Sequence, residues 1–146
     1  MRQFYSIFQA GIHVLMWPKR DKSFLPNKYE SKAFPAEWTI DQRKQESSNV
    51  RNRYPDRIPV IVEKAPHSSI PTIDKQKFLV PSEISMAQFM WIIRKRIQLS
   101  QEKAIFLFVG RVLPQSSSSM GEIYNAHKDE DGFLYVVYSG ENTFGL

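Results

Sequence analysis

The sequence predicts an α+β fold in which a mixed four-stranded sheet packs on one main helix, with additional helices in front of it. Two observations support this prediction. Strand-length runs of β-branched and aromatic residues recur along the chain, and one segment between them repeats apolar residues at helical spacing. Because the first two runs can pair as a hairpin before the helix crosses to the others, the order favours an α+β sheet.

Length and composition limit the classes of protein that fit. The chain has 146 residues with 42% apolar content, which is enough for one globular domain with a core and an extension. It has no cysteine, which excludes disulfides, thiolate catalysis and cysteine-bearing zinc sites. No apolar run reaches the roughly 20 residues that a membrane span needs.

The net charge of +5 is concentrated at one end of the chain. Residues 1–32 contain six basic and two acidic residues and carry +4, which leaves about +1 for the remaining residues. A later basic cluster, Arg94-Lys95-Arg96, lies near the end of the predicted main helix, where cations interact favourably with the helix dipole. Charge therefore argues little for nucleic acid, and we expect no nucleic-acid partner.

Residues 1–33 are predicted to form an N-terminal extension. Residues 3–17 are mostly apolar and precede a basic cluster, but no small-residue cleavage site of a signal peptide follows Trp17-Pro18. An interfacial helix, a disordered segment and misassigned upstream sequence are the alternatives. The rest of the extension combines prolines with charges, as linkers do, so the domain is predicted to span residues 34–146.

The first elements of the domain are one or two short amphipathic helices and two strands. The helices are predicted within residues 35–50 and end before Tyr54, because a residue that precedes proline is pushed out of the helical region. The strands are predicted at residues 57–64 and 75–80. Alternation along the second strand separates two faces, with Lys75, Lys77 and Leu79 on one and Phe78 and Val80 on the other.

The main helix begins at a capping box formed by Ser85 and Gln88. Its apolar residues then recur at helical spacing: Met86, Phe89, Met90, Ile93 and Ile97. A third strand at residues 105–109 is too apolar to be an edge strand, so we expect it to be central or well covered. Ser119 is expected to cap a short helix, and a turn at residues 129–132 leads into the last strand, residues 133–139. A β-grasp fits this order.

The last residues, 140–146, form a polar tail that presents a glycine one position from the end. Gly145 has no side chain, so its carboxyl group could pass through a narrow enzyme channel and be joined to an amine. The alternative is a frayed terminus that ends in Gly145-Leu146 by chance.

Four segments of the chain closely resemble the autophagy ubiquitin-like modifiers, a family that includes the GABA type A receptor-associated protein and microtubule-associated protein light chain 3. The resemblance covers about residues 34–146, with the motifs in order and the terminal Phe-Gly in place. The matching segments are RYPDRIPVIVEK at 53–64, KFLVP at 77–81, IRKRI at 93–97 and DGFLY at 131–135.

The resemblance implies a ubiquitin-like β-grasp that is a substrate rather than an enzyme and needs no cofactor or metal. In the family a cysteine protease cleaves after the glycine, here between Gly145 and Leu146, and activating and conjugating enzymes join the glycine to phosphatidylethanolamine. The protein would therefore be cytoplasmic before lipidation at Gly145 and would be bound to autophagosome and vacuole membranes after it. Microtubules are a further candidate partner.

The resemblance also implies a groove for cargo receptors that carry an aromatic-x-x-aliphatic motif, which add a strand beside the second strand of the sheet. The aromatic pocket would involve Glu46, Val50, Pro59, Lys77, Leu79 and Phe133. The aliphatic pocket would involve Phe78, Val80, Pro81, Ile84, Phe89, Ile92 and Ile93. Cationic groups would meet acidic residues that flank the motif: Arg57, Lys75, Lys77 and, at the end of the main helix, Arg96.

Three other functions fit the sequence less well. An enzyme is disfavoured because the histidines, His13, His67 and His127, are scattered and no nucleophile and base occur at a recognisable spacing. Nucleic-acid binding has basic residues but no reading motif. An unconjugated ubiquitin-like adaptor in trafficking or microtubule association, which uses only the groove, remains the alternative.

Overall fold

The computed structural model describes residues 5–9, 12–16 and 38–141. These residues form a six-stranded mixed sheet with helices on both faces. The elements in chain order are β1 (Tyr5–Gln9), β2 (Ile12–Met16), α1 (Ile40–Arg53), β3 (Arg57–Lys64), β4 (Lys77–Pro81), α2 (Met86–Arg96), β5 (Phe106–Val109), α3 (Met120–His127) and β6 (Leu134–Ser139).

The sheet has the strand order β1-β2-β4-β3-β6-β5. β3 and β4 form the predicted antiparallel hairpin, in which Pro59 lies opposite Leu79. β6 pairs in parallel with β3, with Val60 opposite Leu134, and antiparallel with β5. The last strand thus lies beside the first strand of the domain, which confirms the α+β class and the β-grasp topology.

The helix boundaries follow the capping signals of the sequence. The side chains of Ser85 and Gln88 form the predicted capping box at the start of α2. Ser119 accepts a hydrogen bond from the backbone N–H of Glu122 and caps α3, as expected. Where the sequence predicted one or two short helices within residues 35–50, the described part of the chain forms one helix, α1, with a second capping box at Thr39.

The main core lies between the sheet and the buried face of α2. Phe78 of β4 and Phe89 of α2 meet edge to face, with ring centroids 6.3 Å apart at an interplanar angle of 88°. α3 adds Met120 and Ile123 to the same core. α1 covers the opposite face through Val50 and a smaller buried cluster. β4 is therefore packed on both of its faces.

β5 is at one edge of the sheet, so the prediction that this strand is too apolar to be an edge strand is wrong. Its apolar composition led to the expectation of a central or well-covered strand, and the strand is not central. Leu107, Phe108 and Val109 are nevertheless buried. Side chains on both faces of β5 are buried, although the strand has a neighbour on only one side. An apolar composition cannot by itself distinguish such a covered edge strand from a central strand.

The N-terminal residues that the structure describes differ from the interfacial helix considered above. Residues 5–9 and 12–16 form an antiparallel hairpin, and β2 joins the sheet beside β4. The predicted four strands are all present, and the hairpin adds two more. The division of the chain at residue 34 stays a prediction, since it lies outside the described residues. Within those residues, no helix is long and apolar enough to cross a membrane.

The turn before β6 is less exposed than its acidic sequence suggests. Gly132 has a positive φ of 87°, and its N–H donates to the carbonyl of Asp129 at 2.9 Å. The side chain of Asp131 is fully buried, although three consecutive acidic residues at 129–131 favour an exposed turn. The hydrogen bonds that its carboxylate accepts from three groups of the domain offset the cost of that burial.

Candidate functional site

The candidate site is the edge of β4 that faces away from β3, called here the β4 edge. In the structure this edge pairs with β2, which places Leu15 opposite Leu79 and Met16 opposite Phe78. An edge that accepts a strand offers backbone N–H and C=O groups in register with it. This is the geometry that strand addition requires.

One side of the β4 edge is formed by the α1-side cluster. This cluster contains Val50, Ile61, Leu79 and Phe133, all buried, with Tyr54 and Tyr135 packed against it. Three members of the predicted aromatic pocket, Val50, Leu79 and Phe133, are thereby brought together. Pro59 is buried on β3 opposite Leu79. Ile61 was missed, although it lies two residues from Pro59 on the same face of the strand.

The predicted pocket residues Glu46 and Lys77 form an ion pair. Lys77 Nζ lies 3.1 Å from Glu46 Oε1 and 3.3 Å from Oε2, and the two side chains are only 10% and 15% exposed. The same ammonium group lies 5.7 Å from the centroid of the Trp38 ring. The positive charge of Lys77 is therefore balanced within the domain before any partner approaches.

The other side of the β4 edge is part of the main core and is called here the α2-side cluster. Its members are all buried: Phe78, Val80, Ile84, Phe89, Ile92 and Ile93. These residues of the predicted aliphatic pocket therefore lie together in the buried core between β4 and α2. Pro81, at the end of β4, is half-buried.

Arg57 connects β2 with β4. Its Nη1 donates to the carbonyl oxygens of His13 at 3.1 Å and Leu79 at 3.0 Å, while Nη2 lies 3.4 Å from His13 Nδ1. Burial lowers the pKa of Arg57, and the charge of Glu83 partly offsets that effect. The predicted cationic rim residue thus binds backbone at the β4 edge.

The remaining predicted residues lie at the periphery of the β4 edge or outside the residues that the structure describes. Lys75 is half-buried before β4, and Arg96 pairs with Asp74 through an Nη2–Oδ2 distance of 2.7 Å. The backbone N–H of Gly140 donates to Ser68 Oγ at 3.2 Å just after β6 ends. Gly145 and Leu146 lie outside the described residues.

The fold and the β4 edge define a ubiquitin-like domain of the kind that modifies or recruits other molecules. The model of the family described as "Autophagy protein Atg8 ubiquitin like" matches residues 42–145. The chain therefore belongs to the Atg8 family. Autophagy-related protein 8 of Mycosarcoma maydis is 60% identical over 113 residues, covering 77% of this chain and 96% of that protein.

Further relatives agree with this assignment. Autophagy-related protein 8c of Arabidopsis thaliana is 56% identical over 114 residues, covering 78% of this chain and 96% of that protein. The crystal structure of Trypanosoma brucei ATG8 superposes with a TM-score of 0.70 at 45% identity, covering 78% of this chain and 98% of that one. The chain is an autophagy ubiquitin-like modifier, its partners belong in general to the autophagy machinery, and association with autophagosomes follows from the family.

Proposed function

We propose that the chain is conjugated through Gly145 to the amine of phosphatidylethanolamine and recruits cargo receptors through the β4 edge. Membership of a modifier family supports conjugation, and the match to the family model runs to residue 145. The pairing of β2 with β4 is the observation that supports recruitment, because a strand already pairs with this edge.

The conjugation chemistry uses the chain as a substrate. A cysteine protease hydrolyses the Gly145–Leu146 peptide bond, which adds water and leaves a carboxylate on Gly145. An activating enzyme joins that carboxylate to the nucleotide of ATP and releases pyrophosphate, and an enzyme thiol then displaces AMP to form a thioester. The sulfur of this thioester, which passes from the activating to the conjugating enzyme, must belong to those enzymes because this chain has no cysteine. Attack by the lipid amine forms an amide and releases the enzyme thiol. No step requires the chain to be an enzyme.

Conjugation would convert a cytoplasmic domain into one anchored on autophagosome and vacuole membranes. A single acyl chain binds a bilayer only marginally, whereas phosphatidylethanolamine supplies two chains, with each buried CH₂ contributing about 0.8 kcal/mol. The lipid would then hold the domain at the membrane, so that receptors bound at the β4 edge are brought to the same membrane.

Gly145→Ala in cells that carry the conjugation enzymes tests this part. We expect the variant to lose the membrane-bound form, whereas Leu146→Ala, which keeps the glycine, retains it. Intact mass before and after phospholipase treatment reports both cleavage and lipid. A Gly145→Ala protein that still carries the lipid mass would overturn conjugation at this residue, whereas an unaltered protein that never carries the lipid mass would favour the unconjugated adaptor.

The receptor segment is expected to be extended and to carry an aromatic residue three positions before an aliphatic one. Its backbone would pair with β4, its aromatic side chain would enter the α1-side cluster, and its aliphatic side chain would contact the α2-side cluster. Acidic residues beside the motif would approach Arg57, Lys75 and Lys77, where complementary charge accelerates association.

Calorimetry with an acidic-flanked aromatic-x-x-aliphatic peptide tests the groove. Lys77→Ala combined with Leu79→Ala should weaken binding at least tenfold. Because Leu79 is fully buried, the matched control combines Lys103→Ala with Leu107→Ala, which removes a buried leucine at the other edge of the sheet. Equal affinity for both double variants, each shown to be folded by circular dichroism, would count against the groove.

A further inference from the structure

The N-terminal hairpin occupies the same edge that the proposed receptor segment would use. β2 pairs directly with β4, and β4 pairs on its other side with β3. Since a strand can pair with only one neighbour on each side, β2 and an external strand cannot both be seated on the β4 edge. Residues 5–16 also lie outside the segment that matches the family model, residues 42–145.

The side chains of β2 fill both sides of the site. Leu15 lies opposite Leu79 and packs against the α1-side cluster. Val14 is fully buried in the main core, which contains the α2-side cluster, and Ile12 packs against that core. Alternation along β2 thus supplies one apolar side chain to the first pocket and two to the second, as a bound motif would.

The backbone of β2 is also recognised by a residue of the site. Arg57 Nη1 donates to the carbonyl oxygen of His13 while it donates to that of Leu79. The contact depends on main-chain oxygen, so the carbonyl of any strand seated at this position could accept the same hydrogen bond. β2 therefore resembles a ligand in its pairing, its side chains and its polar contact.

We propose that residues 5–16 are an internal ligand of the β4 edge, so that a receptor peptide binds only after the hairpin has left. This inference rests on the proposed groove. The chain then has a docked state and an open state, and the apparent Kd for a peptide rises in proportion to the excess of the docked state. Tethering favours docking because the hairpin and the edge belong to one molecule.

Val14→Glu in the full chain opens the edge. A carboxylate at this fully buried position must be desolvated when the hairpin docks, which disfavours the docked state. Calorimetry with the acidic-flanked aromatic-x-x-aliphatic peptide should give at least tenfold tighter binding than the unaltered chain. The matched control is Val112→Glu, the same change at a valine that is 49% exposed in the loop after β5, and its affinity should be unchanged.

A disulfide provides a test in the opposite direction. The chain has no cysteine, and Leu15 lies directly opposite Leu79, so Leu15→Cys with Leu79→Cys places two thiols within bridging range. The oxidised form should not bind peptide, and reduction of the same sample should recover measurable binding, weaker than in the unaltered chain because Leu79 is absent. Hydrogen exchange at the β4 amides should be slower in the oxidised form than in the reduced form and faster in Val14→Glu than in the unaltered chain.

The outcomes separate this inference from the groove proposal. Equal peptide affinity in the unaltered chain, Val14→Glu and both redox forms would overturn the internal ligand and leave the groove standing. Absence of binding in every form, including reduced and opened chains that are folded, would overturn the groove and this inference with it.

Discussion

Asp131 and Arg43 lie 88 residues apart in sequence and form an ion pair of 3.1 Å, in which the Asp131 side chain is fully buried. The pair connects α1 to the turn before β6. The same carboxylate accepts hydrogen bonds from the backbone N–H of Phe133 at 2.9 Å and from the Tyr135 hydroxyl. Because Phe133 belongs to the α1-side cluster, this network positions one side of the candidate site.

Asp131→Asn should destabilise the domain by roughly 2–3 kcal/mol. The substitution keeps the shape but removes the charge that Arg43, the Tyr135 hydroxyl and a buried N–H all depend on. Urea unfolding measures the loss. The control is Glu130→Gln, whose carboxylate is 75% exposed and 4.0 Å from Lys44, and which should have almost no effect. Equal stability of the two variants would contradict a structural role for the buried carboxylate.

Gly132 and Gly110 both have positive φ, at 87° and 63°, but they differ in their surroundings. A Cβ at Gly132 would overlap Ser47 Oγ and lie 3.0 Å from Ser47 Cβ, whereas one at Gly110 would meet nothing within 4 Å. Ser47 cannot move freely because its hydroxyl donates to the carbonyl of Asp131 at 2.6 Å.

Gly110→Ala should therefore cost about 1 kcal/mol of stability, from the left-handed conformation alone. Gly132→Ala should cost clearly more, since overlap and the lost Ser47 hydrogen bond add to that cost. Thermal unfolding of the two variants measures the difference. A Gly132→Ala protein as stable as Gly110→Ala would show that the turn relaxes without disturbing α1.

Alkaline stability should depend on Tyr135. Burial raises the pKa of Tyr135 above its ordinary value, and the hydrogen bond to Asp131 raises it further. Above about pH 10 a tyrosine in the unfolded chain ionises while this one stays protonated, so the free energy of unfolding falls as pH rises. Tyr135→Phe removes that contribution, so its stability should decline less steeply between pH 9 and 11 in urea unfolding. Parallel curves for both proteins would contradict the raised pKa.

Local sequence signals predicted much of the domain because their physical causes are local. The capping box at Ser85, the alternation around Leu79 and the proline before which α1 ends each depend on neighbours within a few residues. They were sufficient to assign the four strands of the domain and to place Leu79 and Phe78 on opposite faces. Those faces became the two sides of the β4 edge.

Features that depend on distant partners could not be predicted in this way. A short apolar run is ambiguous between helix and strand, and residues 12–16 become a strand through pairing with β4, about 60 residues later. Asp131 is buried because Arg43 meets it from the other end of the domain. Sequence neighbours gave no indication of either contact, so the occupied state of the β4 edge appeared only in the structure.

The ion pair between Glu46 and Lys77 should regulate the affinity of acidic peptides. A peptide carboxylate that approaches Lys77 must compete with Glu46, whose Oε1 lies 3.1 Å from Lys77 Nζ. Glu46→Gln removes the competitor and leaves one more positive charge beside the α1-side cluster. We expect Glu46→Gln, added to the Val14→Glu protein in which the β4 edge is open, to tighten binding of an acidic-flanked peptide several-fold at low salt. High salt should reduce the gain.

The control for that measurement is Glu63→Gln, which changes net charge equally at an exposed residue of β3. Calorimetry at two salt concentrations separates a local effect from a general one, because only the exchange at Glu46 removes the carboxylate that pairs with Lys77. The same gain in both variants would show that net charge, and not this pair, controls affinity. A weaker complex in Glu46→Gln would show instead that Glu46 holds Lys77 in the orientation that the peptide requires.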